Sequence, residues 1–280
     1  PQAILDASTQ LDFFHPKVRD AYETKVCLTP ISDEWKAIND SLNERASQYF
    51  SDLELLGEDS AREKHKEIIA EINEAHAALT TNLKSRVETL IQSGKICAVL
   101  GGEHSTPLGL IQAINAHYTS FSILQIDAHA DFRVDYQGHK HSHASVMQLL
   151  AKEGLPICSF GVRALAQEEQ EGRQAHGVIC YDGPQLVRQQ THSIELPDDF
   201  PRKIYITFDV DGLDPSVLSA TGTPVPGGLG FYQSLDLIQS TLKGRECVGM
   251  DIVELAPVAG QPVSDFTAAL ILHHLMAMAV

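Results

Sequence analysis

The sequence is poor in cysteine, in positive charge and in long apolar runs. Its five cysteines include no Cys-x-x-Cys pair, so neither a thiolate zinc site nor a disulfide framework is indicated. We expect them to be small core residues in a reducing compartment, which the cytoplasm provides. No run reaches the ~20 apolar residues of a membrane span, and no secretory signal pattern is present. A membrane partner is therefore not expected.

Lysine and arginine are scarce relative to the acidic residues. With 21 Lys and Arg against 37 Asp and Glu, the net charge is −16. Because binding to phosphates requires a basic face, nucleic acid is not an expected partner. An acidic protein is better suited to a small cationic ligand.

The sequence does contain three short motifs rich in carboxylates and imidazoles. They are Gly-Gly-Glu-His at 101–104, Asp-Ala-His-Ala-Asp at 127–131 and Asp-Val-Asp at 209–211. Each follows or ends an apolar run that is typical of a buried strand. Ligands bind just beyond the carboxyl ends of the strands in an open parallel α/β sheet. We therefore expect all three motifs to converge on one crevice.

Four aspartates in one crevice would repel one another. Two like charges ~4 Å apart repel by about 4 kcal/mol at an effective dielectric constant near 20, so the cluster would raise its own pKa values or separate. Two divalent cations would neutralise it, and these ligands suit Mn²⁺ or a related first-row metal. A single aspartate is often a helix cap or a loop residue instead. That alternative is weak for the whole set of candidate ligands, which comprises His104, Asp127, His129, Asp131, Asp209 and Asp211.

Strand and helix patterns alternate from about residue 95 onward. Strands are predicted near 96–101, 121–127, 157–162, 177–181, 203–209 and 247–254, and helices near 107–118, 145–153, 165–175, 183–190, 231–243 and 264–279. This alternation predicts an α/β fold, a mostly parallel sheet flanked by helices on both faces. No linker or internal repeat divides the sequence, so residues 1–280 are expected to form a single domain.

An unusually long helical segment is predicted at about 31–93. Ser32 can cap its first helix. A second helix is expected from about 61 to 93, with Gly57 and Ser60 in the turn between the two. The apolar stripe of the second helix must pack on the sheet or on another subunit, and its charged face is expected to be solvated.

Five segments, taken in order, carry a resemblance to a known family. They are Gly-Gly-Glu-His-Ser at 101–105, Asp-Ala-His-Ala-Asp at 127–131, Ser-His-Ala at 142–144, Phe-Asp-Val-Asp-Gly-Leu-Asp-Pro at 208–215 and Met-Asp-Ile-Val-Glu at 250–254. Together they resemble the signatures of the ureohydrolases, the family of arginase and agmatinase. The resemblance implies an arginase-like three-layer fold, a dinuclear metal centre and a homo-oligomer, either a trimer or a hexamer. It also implies that the family's first strand is missing ahead of Pro1.

The resemblance further implies a role for each ligand. His104 and Asp131 would hold one metal, His129 and Asp211 the other, and Asp127 and Asp209 would bridge the two ions. Hydroxide generated at the metals would attack a guanidinium carbon, and the products would be urea and an amine. Asp131 is assigned to the catalytic group as well as to the metal.

Two residues outside the ligand set complete the implied site. Glu254 would hold the guanidinium nitrogens, the alternative being a surface glutamate at a strand end. His143 is the candidate for giving a proton to the leaving amine and for contacting the substrate. His139 and His141 compete for this role, and all three histidines could instead belong to a surface loop.

Three more polar residues near the motifs have open roles. Glu103 is expected either to orient the site or to form a buried salt bridge. Arg163 is expected either to neutralise charge near the metals or to form a structural pair. Asp251 alternates to the face of its strand opposite Glu254 and is given no role.

Arg133 bears on the choice of substrate. Its surroundings look like the agmatinase branch, so the expected substrate is agmatine, which would give putrescine and urea. An arginine near the mouth could also attract a carboxylate, which leaves arginine and guanidino acids (guanidinobutyrate or guanidinopropionate) as alternatives. A catalytically silent assembly protein of the same fold is a further alternative, and a single-zinc deacetylase is a weaker one.

Overall fold

The computed structural model describes residues 1–12, 25–30 and 32–279. Its centre is a six-stranded sheet in the order β1-β6-β5-β2-β3-β4, with every described pair of neighbours parallel. The strands are β1 (Cys97–Leu100), β2 (Ser122–Ile126), β3 (Ile157–Phe160), β4 (Ile179–Tyr181), β5 (Lys203–Asp209) and β6 (Glu246–Val253). The predicted parallel α/β fold is confirmed. The expectation of a missing first strand stays a prediction.

Helices cover both faces of this sheet. Those within the described residues are α1 (Gln2–Ser8), α2 (Asp33–Leu56), α3 (Glu58–Lys64), α4 (Lys66–Gln92), α5 (Leu108–His117), α6 (Val146–Lys152), α7 (Gln167–Ala175), α8 (Gly183–Arg188), α9 (Phe231–Thr241) and α10 (Pro262–Met278). Ile123 of β2 packs in a core with α4, α5 and α6, whereas Leu124 and Ile126 pack in a core with α1, α8, α9 and α10. Because successive strand residues point to opposite faces, these cores form the two outer interfaces of a three-layer fold.

The chain order along the sheet reverses between β2 and β5. From β2 the chain continues to β3 and β4 on one side, whereas β5 and β6 lie on the other. Such a reversal leaves a crevice beyond the carboxyl ends of the two central strands. Asp127 directly follows β2 and Asp209 ends β5, so the predicted metal ligands flank this crevice.

The helical segment is divided differently from the prediction. Ser32 caps α2 as expected, since its side chain accepts a hydrogen bond from the backbone nitrogen of Trp35 at 3.4 Å. Gly57, with φ 77°, separates α2 from α3. The expected second helix is two helices, because the chain leaves helical geometry at His65, where φ is −114°. Ser60 lies within α3, so its assignment to the turn was wrong.

Helix α4 packs against two different parts of the chain. Near its start, Ile68 and Ile69 form a small core with Tyr49 of α2. Near its end, Val87 and Ile91 belong to the core on one face of the sheet. The apolar stripe is therefore buried in part on the sheet, which is one of the two expected arrangements.

The cysteines follow the prediction with one exception. Cys97, Cys158 and Cys247 are buried and Cys180 is partly buried, whereas Cys27 is exposed. Burial raises the pKa of the Cys247 thiol to about 12, which keeps it protonated and unreactive. In the described part of the chain, no helix combines the length and the apolar character that crossing a membrane requires.

Candidate metal centre

The structure brings all six predicted ligands together at the carboxyl edge of the sheet. His104 lies beyond β1, the motif at 127–131 follows β2, and the motif at 209–211 begins at the end of β5. Two groups of candidate ligand atoms lie within metal-binding distance of one another. One consists of His104, Asp127 and Asp209, and the other of Asp127, His129 and Asp211.

The first group is arranged around the Nδ1 atom of His104. This nitrogen lies 2.9 Å from Asp131 Oδ2, 3.1 Å from Asp127 Oδ2 and 3.4 Å from Asp209 Oδ2. All four side chains are buried. Asp131 therefore stands beside His104, as the resemblance implied for one metal.

The second group is arranged around His129. Its Nδ1 atom lies 3.0 Å from Asp211 Oδ2 and 3.7 Å from Asp127 Oδ1. Asp127 thus faces the two histidines with different oxygen atoms, as a carboxylate that bridges two ions through both oxygens would, and its bridging role stays a prediction. Asp209 is grouped only with the first histidine, so its predicted bridging role stays a prediction.

Backbone hydrogen bonds hold the aspartates in place. Asp127 Oδ1 accepts from the backbone nitrogen of His129 at 2.6 Å, and Asp209 Oδ1 accepts from that of Asp211 at 2.8 Å. Asp211 Oδ1 in turn accepts from the backbone nitrogen of Ala128 at 3.0 Å, which joins the two motifs. The two-residue spacing within each motif therefore lets one aspartate fix the backbone that carries the next ligand.

Burial and the neighbouring charges shift the pKa values of the clustered side chains. Burial, reinforced by Asp127, raises the pKa of Asp131 to about 7. Burial together with Asp127 and Asp211 raises the pKa of Asp209 well above its usual value. Burial lowers the pKa of His129, but the hydrogen bonds to Asp127 and Asp211 outweigh it and raise this pKa to about 11. Protons thus occupy positions that divalent cations would otherwise take.

The protonation of His104 provides an independent test of whether a metal fits. The Thr207 hydroxyl donates to Asp251 Oδ1 at 2.9 Å, so it must accept from His104 Nε2, which is 2.8 Å away. Neutral His104 therefore carries its proton on Nε2 and directs the lone pair of Nδ1 toward carboxylate oxygens. Among the described residues this buried Nδ1 makes no hydrogen bond of acceptable geometry. Burial lowers the pKa of His104, but Asp127, Asp131 and Asp209 outweigh it and raise this pKa well above its usual value, so that a proton is held there when no cation is bound. A cation held by Nδ1 and the carboxylates would satisfy these groups in place of that proton.

Asp251, which was assigned no role from the sequence, contributes to the site. It is fully buried, and its carboxylate accepts hydrogen bonds from Tyr205 Oη at 2.8 Å and from Thr207. Burial raises its pKa to about 6. Through Thr207 it orients the imidazole of His104, a role that sequence reasoning assigned to neither residue. A carboxylate in an otherwise apolar strand was the available signal.

Glu254 lies at the site and is hydrogen-bonded to the backbone of His104, a candidate metal ligand. Its Oε1 atom accepts a hydrogen bond from the backbone nitrogen of His104 at 2.7 Å. Its own backbone nitrogen donates to the carbonyl oxygen of Gly102 at 2.7 Å. The residue has φ 64°, a left-handed conformation that is uncommon for a residue with a side chain and is frequent at functional sites.

His143 lies at the edge of the cluster, with its side chain 48% exposed. Its Nδ1 atom is 3.4 Å from Glu103 Oε1, and its backbone nitrogen also donates to this oxygen. Glu103 accepts a second hydrogen bond from the hydroxyl of Ser105. Glu103 therefore orients the loop that carries His143, which matches the first of its two expected roles.

The two arginines have different surroundings. Arg163 donates to the carbonyl oxygens of Asp211 at 2.7 Å and of Val225 at 2.7 Å, so it ties the motif at 209–211 to the following loop. These hydrogen bonds are to backbone acceptors, so the expected structural pair is not formed with a side chain among the described residues. The other expected role, neutralising charge near the metals, stays a prediction. Arg133 is half-exposed, with its Nε atom 3.8 Å from Glu169.

An α/β sheet with two largely buried groups of candidate oxygen and nitrogen ligands at its switch point has the arrangement expected of a protein with a dinuclear metal centre. Comparison with known proteins identifies its relatives. A profile of the Arginase family matches residues 1–278, and the chain belongs to this family.

Three relatives illustrate the likeness. An N(1)-aminopropylagmatine ureohydrolase of Thermus thermophilus is 37% identical over 66% of this chain and 62% of its own. An agmatinase of Edwardsiella ictaluri is 32% identical over 68% of this chain and 61% of its own. The solved structure of the agmatine ureohydrolase of Thermoplasma volcanium is 32% identical, covers 73% of this chain and 69% of its own, and has a TM-score of 0.62. The chain thus spans a little over three-fifths of the length of these two curated relatives.

Proposed function

We propose that the protein is a dinuclear-metal amidinohydrolase that releases urea from a small cationic guanidino compound. The observation that carries this proposal is the pair of ligand groups that share Asp127 at the switch point of the sheet. His104 and Asp131 would hold one ion and His129 and Asp211 the other, with Asp127 and Asp209 between them. When bound, two divalent cations, Mn²⁺ by ligand preference, supply Lewis acidity and lower the pKa of water toward neutrality.

Glu254 would receive the guanidinium group. One of its oxygens is fixed by the backbone of His104, so the carboxylate is held in a constant relation to the metal ligands. Burial raises the pKa of Glu254, and a bound guanidinium would favour the ionised carboxylate. Asp131, the ligand also proposed to be catalytic, would orient the attacking water through its carboxylate.

His143 would contact the substrate and give a proton to the leaving amine. The side-chain hydrogen bond to Glu103 raises the pKa of His143, which keeps the imidazole protonated nearer to neutral pH. Its exposed position at the edge of the cluster leaves it accessible to a substrate. Neither His139 nor His141 has an equivalent contact with Glu103 in the described residues, which favours His143 among the three.

Agmatine is the substrate that we propose. The anionic cluster and Glu254 would recognise the guanidinium that all candidates share, so selection depends on the other end of the molecule. Arg133, which could bind a carboxylate there, already lies near Glu169 and 5.5 Å from the ring centroid of Tyr136. N(1)-aminopropylagmatine is the second candidate, because the relative with 37% identity carries that name. We further propose a cytoplasmic homo-oligomer, a trimer or hexamer.

The test is urea release by manganese-loaded protein from agmatine, N(1)-aminopropylagmatine, arginine and guanidinobutyrate. We expect urea from one or both of the amines and little from the two carboxylate-bearing compounds. Asp127→Asn should abolish release, whereas Asp198→Asn, a matched change at an exposed aspartate, should have no effect. Two bound metals without urea from any compound would favour the silent assembly protein.

A further inference from the structure

The loop at 135–143, here called the histidine loop, contains a tight turn that is held by helix α2. In this turn Tyr136 and His139 exchange backbone hydrogen bonds of 3.1 and 2.9 Å, and Gln137 has φ 51°. A positive φ is unfavourable for a residue with a side chain, so the turn needs support. The buried Tyr49 of α2 supplies it, because its hydroxyl donates to the carbonyl oxygen of Gln137 at 2.6 Å.

Helix α4 holds the same loop at the next residues. Asn73 Nδ2 donates to the carbonyl oxygen of Gly138 at 3.1 Å, and Asn73 Oδ1 accepts from the backbone nitrogen of Lys140 at 3.3 Å. The side-chain amide of Asn73 thus forms hydrogen bonds to the loop at the residues on either side of His139. Because donor and acceptor are both engaged, Asn73 fixes the distance between the loop and the helix as well as the direction of the loop.

A third connection starts one turn further along α4 and ends at His143. His76 Nε2 lies 2.6 Å from the hydroxyl of Ser105. That hydroxyl donates to Glu103, so it accepts from His76. Glu103 in turn accepts from the backbone nitrogen of His143. A continuous chain of hydrogen bonds therefore links helix α4 to the backbone of the proposed proton donor.

From these three connections we infer that the long helical segment positions His143 at the dinuclear centre, with Tyr49, Asn73 and His76 as positioning residues. Tyr49 and Asn73 are hydrogen-bonded to the loop directly, and His76 is linked to it through Ser105 and Glu103. None of the three is among the candidate metal ligands. The catalytic meaning of this inference rests on the proposed function, because it takes His143 as the proton donor. The restraint on the loop can be measured without any substrate.

The first test is hydrogen–deuterium exchange on the manganese-loaded protein. Tyr49→Phe removes one hydroxyl and keeps the buried ring, whereas Tyr232→Phe makes the same change at a side chain that is 74% exposed. In Tyr49→Phe we expect the amides of the histidine loop to exchange about fivefold to tenfold faster, the range for one lost hydrogen bond. Amides of β5 should be unchanged. Loop exchange equal to that of Tyr232→Phe would overturn the inference.

The second test separates positioning from general stability. Tyr49→Phe should retain two bound metals and an unchanged KM. Its kcat should fall about fivefold to tenfold, in proportion to the faster exchange of the loop amides. His76→Ala should lower kcat similarly, and His76→Gln, whose amide can donate to Ser105, should restore it. If the enzyme releases urea and both tests leave the loop and kcat unchanged, the inference fails and the proposed function stands. If no urea is released, the function fails and the exchange result alone decides the inference.

Discussion

Removing the hydroxyl of Thr207 should weaken one metal site and leave the other intact. The hydroxyl lies between His104 Nε2 and Asp251, and it determines which nitrogen of His104 carries the proton. Thr207→Val replaces the hydroxyl with a methyl group of similar size in a fully buried position. The imidazole then has no acceptor for its Nε2 proton. It is free to adopt the tautomer with a proton on Nδ1, which cannot bind a cation.

The expected loss follows from the cost of the orphaned donor. Leaving one buried polar group without a partner costs about 1–3 kcal/mol. Loss of an outer partner of a metal-binding histidine lowers metal affinity by about 10–100-fold, equivalent to about 1.4–2.8 kcal/mol. The two ranges agree. We therefore expect the affinity of the site that uses His104 to fall by about 10–100-fold.

Calorimetric titration of metal-free protein with Mn²⁺ measures the two affinities separately. Wild-type protein should show two binding events, and Thr207→Val should weaken one of them. Thr207→Ser keeps the hydroxyl and is the matched control, so it should bind like the wild type. Equal affinities in Thr207→Val and Thr207→Ser would refute the assignment of the Nδ1 lone pair to a cation.

Four further predictions follow from named contacts. Asp127→Asn should bind less than one metal ion per chain, which is fewer than the loss of a single site would leave, because both ligand groups use Asp127. Elemental analysis after manganese loading measures this. His143→Ala should lower kcat more than it raises KM in urea-release assays, with partial rescue by imidazole, and an unchanged kcat would assign the proton to another group. Arg133→Ala should leave kcat/KM for agmatine unchanged or improved. If a guanidino acid proves to be the better substrate and its kcat/KM drops by about tenfold in this variant, our choice of agmatine as the substrate would be reversed. Hydrogen bonds from His65 and Lys64 lower the pKa of Asp52 from 3.8 to about 2, so the ionised carboxylate stabilises the folded protein fully above pH 3.8 and this stabilisation is lost toward pH 2. In denaturant titrations, the difference in free energy of unfolding between wild type and Asp52→Asn should therefore shrink as the pH falls through this window. A constant difference would contradict this.

The strands could be predicted because their signal is local. All five residues of β2 are buried, and six of the seven in β5 are. A parallel sheet covered on both faces requires such continuous apolar runs. Convergence of the ligands then followed from topology, since the carboxyl ends of neighbouring parallel strands meet at one edge of the sheet. The six candidate ligand positions could therefore be predicted without knowledge of side-chain contacts, and metal binding by them stays a prediction.

The break within the helical segment could not be predicted from the sequence around it. Residues 61–67 contain neither glycine nor proline, and local propensity favours one continuous helix. In the structure, Asp52 of α2 accepts from Lys64 Nζ at 2.5 Å and lies 2.6 Å from His65 Nε2, at the point where α3 ends. These contacts join different helices, so they depend on how α2 packs and leave no trace in the local pattern.

The prediction from strand alternation failed for Asp251, because the alternation was counted from Glu254 across the end of strand β6. Strand β6 ends at Val253, and Glu254 has φ 64°, so the alternation of faces does not extend to Glu254. The register places Asp251 opposite Thr207, and Val253 opposite Asp209. Because paired residues share a face, Asp251 lies on the same face as Thr207 and Asp209.

The consequence is that Asp251 lies behind the candidate metal ligands, whereas Glu254 lies at the same site because the backbone turns at that residue. A buried carboxylate is costly unless it is hydrogen-bonded, so an aspartate within the apolar run of β6 already indicated that partners must exist. Tyr205 and Thr207 are those partners, and they belong to the neighbouring strand. The need for a partner is therefore visible in the sequence, but its identity depends on the register of β5 against β6, which only the folded chain specifies.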